Sequence, residues 1–344
     1  MPLFSTKPLH SFHLSSVANN VAEINSIDDL SCLKELTDSG EYIVIGEGSN
    51  TIFVENYMGT VVLNKLVGIE LEETKEHFYV SVSSGNNWND FVVWCLSNEI
   101  YGLENLALIP GTVGACPIQN IGAYGVEVKK FIDTVEYYDL ESGQICTLDN
   151  ELCEFGYRDS IFKHDLKFNT FITKVNFKFP KTWQPQVDYA PLNKLTNPSA
   201  NEIYDKVCEV RALKLPDPKT IGNAGSFFKN PIVSNKKADE LIYQYEDLPN
   251  YHFNSTSKKL AAGWLIEKAG LKGFSLGNVA VHDKQALVLT NHTGNADGKE
   301  LIELASYVMK TVHDKFGVSL EPEVRFIGKH GEVKFSELNQ NIYG

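Results

Sequence analysis

Residues 104–125 read Glu104-Asn-Leu-Ala-Leu-Ile-Pro-Gly-Thr-Val-Gly-Ala-Cys-Pro-Ile-Gln-Asn-Ile-Gly-Ala-Tyr-Gly125. Glycines at 111, 114, 122 and 125 and prolines at 110 and 117 punctuate a stretch with almost no charge. Surface loops are normally polar, so an apolar loop of this length is expected to be buried. Glycine lets backbone approach a ligand closely and leaves successive N–H groups able to face an anion. A long irregular segment inside a compact domain is usually functional. The stretch is therefore read as a wall for a phosphate-bearing cofactor. The alternative is a tightly packed crossover between strands.

Working outward, the chain has 344 residues, enough for two or three domains with full cores. With 43% hydrophobic and 22% charged residues it has the composition of an ordinary globular protein. A net charge of −13 argues against a nucleic-acid partner or an anionic membrane surface, so an anionic ligand needs a local cluster of cations. Of 31 basic residues only Arg158, Arg211 and Arg325 are arginine. The guanidinium is a planar fork suited to carboxylate or phosphate, so all three are taken as functional candidates. The six cysteines show no CxxC spacing, and neither a disulfide framework nor a metal site is expected. No basic-then-apolar leader opens the chain and no apolar run reaches spanning length, so a cytoplasmic protein is expected.

Ser26-Ile-Asp-Asp29 predicts a helix start, with an apolar stripe of Leu30, Leu33 and Leu36 after it. Tyr42-Ile-Val-Ile45 then runs into Gly46-Glu-Gly-Ser-Asn-Thr51, which resembles a dinucleotide fingerprint but places threonine where the third glycine belongs. The next residues, Ile52-Phe-Val and Gly59-Thr-Val-Val-Leu63, are strand-like, whereas that fingerprint needs a helix. The element is a strand–turn–strand unit whose turn could still hold phosphate. A strand is predicted at 78–83, then a helix burying Trp88, Phe91, Val92, Cys95 and Leu96, capped by Asn86 or Asn87. Strands are predicted at 132–139, 144–148 and 168–179, and a helix ending near Arg211. Lys214-Leu-Pro-Asp-Pro-Lys219 reads as a domain hinge. Beyond it lie helices at 235–246, 258–269 and 297–316, a strand at 285–290, and a last strand from Val318 to Phe326.

Gly46-Glu-Gly-Ser-Asn50, Ile109-Pro-Gly-Thr-Val-Gly114, Pro117-Ile-Gln-Asn-Ile-Gly-Ala-Tyr-Gly125, Tyr157-Arg-Asp-Ser160, Gly222-Asn-Ala-Gly-Ser-Phe-Phe-Lys-Asn230 and Glu321-Pro-Glu-Val-Arg-Phe326 occur together and in this order. In this the chain resembles the UDP-N-acetylenolpyruvoylglucosamine reductases, flavoenzymes of bacterial peptidoglycan precursor synthesis, from about residue 15 to about residue 330. The resemblance implies an α+β fold. An FAD-binding domain of the vanillyl-alcohol-oxidase type would have two subdomains, 1–66 joined by the returning 319–344, and 67–215, with a smaller substrate domain at 216–318.

The implied reaction is reduction of the enolpyruvyl double bond of UDP-N-acetylglucosamine enolpyruvate to UDP-N-acetylmuramate. NADPH reduces non-covalently bound FAD, and the hydride then passes to the methylene carbon. Arg158 and Glu323 would stabilise the developing enolate, and Ser226 would supply the proton. Taken locally, Arg158 could instead pair with Asp159, Glu323 with Arg325, and Ser226 could cap backbone. Gly46, Gly48, Ser49, Asn50, Ile109, Pro110, Gly111, Thr112, Gln119, Asn120, Gly122 and Ala123 would line the flavin, with Arg211 and Arg325 neutralising its charge. Tyr189, Lys214, Asn230, Gln285 and Tyr251, the last in a loop able to close as a lid, would meet the sugar nucleotide. His282 is read as a packing histidine and Cys116 as a small packing residue, while Ala115-Cys116 departs from the small pair expected there. A monomer is expected.

Overall fold

The computed structural model describes residues 3–343, save the side chains of 36–39 and 340–343; Leu36 thus lies outside the described side chains. The fold is organised as two compact units, each assembled from separate stretches of chain. One comprises residues 1–19, 48–58 and 214–344; the other comprises 20–47 and 59–213.

The second unit is built on a five-stranded antiparallel sheet. Its order is Gln144–Asp149, Ile132–Asp139, Thr170–Pro180, His77–Ser83 and Ile69–Glu73. Helix Trp88–Ser97 starts where expected: the side chain of Asn87 accepts from the Asp90 N–H at 3.0 Å. Such a cap stabilises by about 1 kcal/mol. The helix buries Trp88, Phe91, Val92 and Cys95, and the Phe91 ring meets Phe177 of the sheet at 4.9 Å. Each large apolar side chain buried this way contributes about 1.5–3 kcal/mol. Strand Tyr42–Ile45 pairs in parallel with Tyr57–Asn64, Tyr42 opposite Thr60. The absence of a helix after Gly46 confirms that no dinucleotide fingerprint is present: Thr51–Phe53 is a strand.

The stretch 104–125 packs into the core of this unit as its apolar character requires. Leu106, Val113, Cys116 and Ile121 are buried in it. Its backbone is stitched to neighbouring turns: Val113 and Gly114 N–H donate to Asn86 O and Ser84 O at 2.9 and 2.8 Å. A short hairpin, Gly122–Ala123 with Val126–Glu127, closes it.

The first unit packs its core around helix Gly298–Phe316, which buries Leu301, Leu304, Ala305, Val308 and Val312 as its spacing predicts. Asp297 and Glu300 form a capping box at its start and Gly317 (φ 63°) ends it. Phe12, Leu14, Ile52, Phe227 and Phe228 complete this core from separate parts of the sequence. Strand Arg325–Gly328 pairs in parallel with Thr51–Phe53, Arg325 opposite Thr51.

Four expectations differ from the structure. The helix predicted over 258–269 is only Ala262–Lys268, because Ser257–Leu260 is the central strand between Ile232–Ser234 and Asn250–Asn254. Tyr251 therefore lies on a paired strand, opposite Lys259, and not in an open loop. The strand predicted at 285–290 is Leu289–Asn291, and the one from Val318 is confined to Arg325–Gly328, since Pro322 interrupts the run. Among the described residues no helix is long and apolar enough to cross a membrane.

Candidate active site

In the second unit the site is built around Arg158. Residues 155–160 form a tight turn in which Gly156 N–H donates to Asp159 O at 2.9 Å. The turn places Arg158 at φ 55°, a left-handed conformation unfavourable by about 1–2 kcal/mol for a side chain of this kind. Its guanidinium donates through Nη2 to the Gly122 carbonyl at 2.8 Å, and its Cζ lies 5.4 Å from the Tyr157 ring centre. Asp159 directs both carboxylate oxygens to His164 Nε2 at 2.9 Å. The Arg158 carbonyl accepts from Lys163 Nζ at 3.0 Å.

Asn120 locks this turn to the glycine-rich stretch. Fully buried, it donates through Nδ2 to Gly156 O (2.9 Å) and Glu127 Oε2 (3.1 Å), and Oδ1 accepts from Lys129 N–H (3.1 Å). Ser160 Oγ adds a bond to Ile118 O at 2.6 Å. Gln119, Gly122 and Ala123 are half-buried around this junction. The Asn120 amide thus shapes the loop through its own bonds.

Gly46 and Thr112, expected to share a ligand wall, are in contact. A Cβ on Gly46 would overlap the Thr112 side chain, and Gly111, at φ 118°, is buried beside it. Ile109 is half-buried and Pro110 exposed. Cys116 is buried, and burial pushes its thiol well above the usual range, which suits a packing role. Arg211, on helix Ala200–Lys214, has a buried Nε with no hydrogen-bond partner among the described residues. Burial is the chief influence lowering its pKa, and Tyr124, the nearby aromatic of the glycine-rich stretch, opposes it. Tyr124 in turn meets Tyr189 edge-on, ring centres 6.1 Å apart. Tyr189 is exposed, as is Lys214 at the end of the helix.

The remaining residues gather in the first unit. Ser226 is exposed, between Gly225 (φ 66°), whose Cβ position meets nothing within 4 Å, and the fully buried Phe227. Phe227 N–H donates to Leu287 O at 2.9 Å, and its carbonyl accepts from Glu323 N–H at 2.8 Å. Ser226 and Glu323 are thereby carried on hydrogen-bonded neighbouring segments. The Glu323 carbonyl accepts from Asn50 Nδ2 at 3.3 Å, and Asn50 O accepts from Arg325 N–H at 2.9 Å. Arg325 Nε donates to Glu332 Oε2 at 3.0 Å. Gly48, Ser49 and Asn50 thus share this unit with Ser226 and Glu323. Asn230 Oδ1 accepts from Ala262 N–H at 2.9 Å, and a Cβ on Gly263 of the same helix would lie 2.9 Å from Gln285 Oε1, so these two candidates converge. His282 Nδ1 accepts from Gln285 N–H at 3.2 Å, and burial lowers its pKa, as suits a packing histidine.

Sequence reasoning passed over Tyr124 and Glu332. Tyr124 stands inside the opening stretch, and its left-handed backbone (φ 47°) beside Gly125 is the signal that it occupies a special position. Glu332 carries no local motif and is reached only through the hairpin that pairs Ile327 with it.

The residues present fit a flavin dinucleotide. A buried cationic nitrogen at Arg211 with no hydrogen-bond partner among the described residues, and a glycine–threonine contact that leaves no room for a Cβ at Gly46, are what an anionic, flat cofactor lying against backbone needs. Comparison with known proteins agrees. Residues 19–149 match the model of an FAD binding domain, and residues 217–327 that of the C-terminal domain of UDP-N-acetylenolpyruvoylglucosamine reductase. The UDP-N-acetylenolpyruvoylglucosamine reductase of Photobacterium profundum is 45% identical over 338 residues, 97% of each chain. That of Shewanella sediminis is 48% identical over 335 residues, 96% of this chain and 97% of its own. The solved structure of the corresponding reductase from Thermus caldophilus, 20% identical, has the same fold, with a TM-score of 0.67 over 94% of this chain and 98% of that one. The α+β architecture with an FAD-binding domain is therefore the one this protein has, and the protein is an FAD-dependent oxidoreductase. By the near-complete span and level of identity of these relatives, the chain belongs to the UDP-N-acetylenolpyruvoylglucosamine reductase family.

Proposed function

We propose that this protein reduces the enolpyruvyl double bond of UDP-N-acetylglucosamine enolpyruvate to give UDP-N-acetylmuramate, with NADPH as reductant, in the cytoplasm and as a monomer. In this reading 1–66 with 319–344, and 67–215, hold the cofactor, while 216–318 receives the sugar nucleotide. FAD, held by these residues, would supply the two-electron chemistry that carries hydride from NADPH to the substrate methylene carbon.

The chain's own residues meet the charge that this addition creates. Negative charge builds on the carbon next to the substrate carboxylate, and preorganised donors there are usually the largest catalytic term. Arg158, its guanidinium already oriented by the Gly122 carbonyl, suits the carboxylate or enolate oxygen, and Glu323 is assigned to stabilise the same charge. Ser226 Oγ–H gives its proton to the second carbon. A hydroxyl is a weak acid, but an enolate carbon is a strong base, so positioning decides the transfer. Gly46, Gly48, Ser49, Asn50, Ile109, Pro110, Gly111, Thr112, Gln119, Gly122 and Ala123 line the flavin in this proposal, Asn120 shapes its wall, and Arg211 and Arg325 balance its charge. Tyr189, Lys214, Asn230, Tyr251 and Gln285 meet the sugar nucleotide.

The observation that carries the reading is the exposed Ser226 hydroxyl on a segment hydrogen-bonded to that of Glu323. The experiment is spectroscopic. Purified protein is expected to be yellow, to be bleached by NADPH without oxygen, and to regain colour on addition of the enolpyruvyl sugar nucleotide. A colourless protein that recruits no FAD, or colour restored by oxygen and not by that substrate, refutes it.

A further inference from the structure

Three segments of the first unit, distant in sequence, meet at one small side chain, Ser11. Its hydroxyl donates to Asn223 O at 2.7 Å and lies 3.3 Å from Ser49 O. Its backbone joins the same segments: Ser11 N–H donates to Gly48 O at 3.2 Å, and Asn223 N–H donates to Ser11 O at 3.0 Å. The approach to Gly48 is close enough that a Cβ there would run into the Leu9 carbonyl and lie 2.8 Å from His10 Cα. Ser11 is flanked by His10 and Phe12, both almost completely buried, which fixes where its hydroxyl can point.

From Asn223 the network continues toward the proton donor. Asn223 Nδ2 donates to Pro216 O (3.1 Å) and Ile221 O (2.8 Å), and Oδ1 accepts from Gly225 N–H (3.0 Å). Gly225 precedes Ser226, and the next amide, that of Phe227, is held by Leu287 O. Ser226 is bracketed by two fixed amides while its own side chain is exposed. One polar bridge from the Gly48–Asn50 turn to that bracket runs through Ser11, and a second runs from Asn50 through the Glu323 backbone to Phe227 O.

We propose that Ser11 is a positioning residue: it ties the cofactor turn Gly48–Asn50 to the segment Asn223–Ser226 and so sets where the proton donor stands relative to that turn. This rests on the reading of Ser226 as proton donor. Proton transfer to carbon tolerates misplacement poorly, whereas hydride transfer from NADPH to the flavin does not involve Ser226. Loss of the Ser11 hydroxyl therefore separates the two half-reactions.

The test compares Ser11→Ala and Ser11→Thr holoenzymes with the unaltered chain, in excess FAD. Bleaching by NADPH in Ser11→Ala is expected to stay within about twofold, while reoxidation by the enolpyruvyl sugar nucleotide slows about tenfold, the scale of one lost hydrogen bond. FAD release, followed by the return of free-flavin fluorescence, should quicken several-fold, and amide hydrogen exchange across 222–228 should quicken with it. Ser11→Thr, which keeps the hydroxyl, should restore all three. Equal slowing of both half-reactions, slowing that threonine does not restore, or no change in reoxidation overturns the proposal. Should Ser11→Ala not fold, Ser11→Cys supplies the same comparison through a weak donor of similar size. Failure of the unaltered chain to bleach or reoxidise sinks the functional reading and this role together. An unaltered chain that passes both steps beside an indifferent Ser11→Ala removes only the role of Ser11.

Discussion

In the stretch 104–125, a Cβ added at Gly114 would lie 2.5 Å from Ser84 Cβ, and one at Gly122 would lie 3.0 Å from both Glu127 Cγ and Val126 O. In the stretch 222–230, a Cβ at Gly225 would meet nothing within 4 Å. The first stretch uses glycine to bring backbone into contact with its neighbours and is buried for most of its length. The second uses a left-handed glycine, φ 66°, to deliver an exposed serine. Charge stabilisation needs donors that do not reorganise, and Arg158 sits against the first stretch with its guanidinium on Gly122 O. The proton delivery proposed for Ser226 needs an accessible hydroxyl, and the second stretch presents one.

That contrast is open to test at each end. The largest effect is expected at Ser226: Ser226→Ala should slow substrate-driven reoxidation by about 10²–10⁴-fold, the span of general acid catalysis, with NADPH bleaching intact. Because the side chain is exposed, stability should change by less than about 0.5 kcal/mol. A large fall in melting temperature would mean that the serine is structural. Arg158→Lys should slow reoxidation by about 10²–10³-fold, since an ammonium cannot reproduce the fork. Unlike the serine it should also destabilise, by about 1 kcal/mol, through loss of the bond to Gly122 O. If both half-reactions fall equally, Arg158 holds the wall and not the enolate.

Gly46→Ala should destabilise by about 1–3 kcal/mol through overlap with Thr112 and weaken FAD binding. Thr112→Ser in the same chain, which removes the Cγ2 that a Gly46 Cβ would approach to 2.9 Å, should recover part of both. Acid is expected to act through His10, beside Gly48 in the first unit. It is 1% exposed, its Nδ1 has no partner among the described residues, and burial lowers its pKa from 6.5 to about 4. The unfolded chain therefore takes up the proton first. The stability held by neutral His10 is complete above pH 6.5 and is lost as pH falls toward 4. Between pH 7 and pH 5 this amounts to about 2 kcal/mol. Denaturant unfolding at the two pH values checks it, and His10→Gln should flatten that part of the difference. Gly225→Ala should give the smaller change of the two glycine variants, about 1 kcal/mol from the left-handed backbone alone. A loss as large as that of Gly46→Ala would erase the distinction between the two stretches.

Much of this was legible in the residues. Strand Ile132–Asp139 and helix Gly298–Phe316 arise from local periodicity and caps, and the helix after Ser83 from its Asn87 cap. The contacts of Gly46 with Thr112 and of Arg158 with Gly122 join motifs far apart in sequence, and no local pattern announces either. Local pattern failed where long-range pairing decided the outcome. Ser257–Leu260 has residues compatible with the first turn of a helix, but two flanking strands claim its backbone bonds, and the helix waits until Asn230 accepts the Ala262 amide. Ser11 was silent because its hydroxyl acts on segments 38 and 212 residues away, and Glu332 because it acts across a hairpin. No periodicity encodes either.

The threading of the chain has a consequence for its synthesis. A ribosome releases every residue of the 20–47 and 59–213 unit before it has made most of the other, whose core needs Phe12, Leu14 and Ile52 together with residues up to Phe326. The N-terminal segments must remain without their partners while about 160 later codons are translated, at rates of about 5–20 residues per second. A stop codon anywhere before strand Arg325–Gly328 leaves Thr51–Phe53 without its parallel partner, and one before Phe227 also leaves Phe12 and Leu14 without most of their core. Premature termination near the end of the message therefore yields a chain in which an early strand, Thr51–Phe53, is left with an open edge for chaperones and proteases to find.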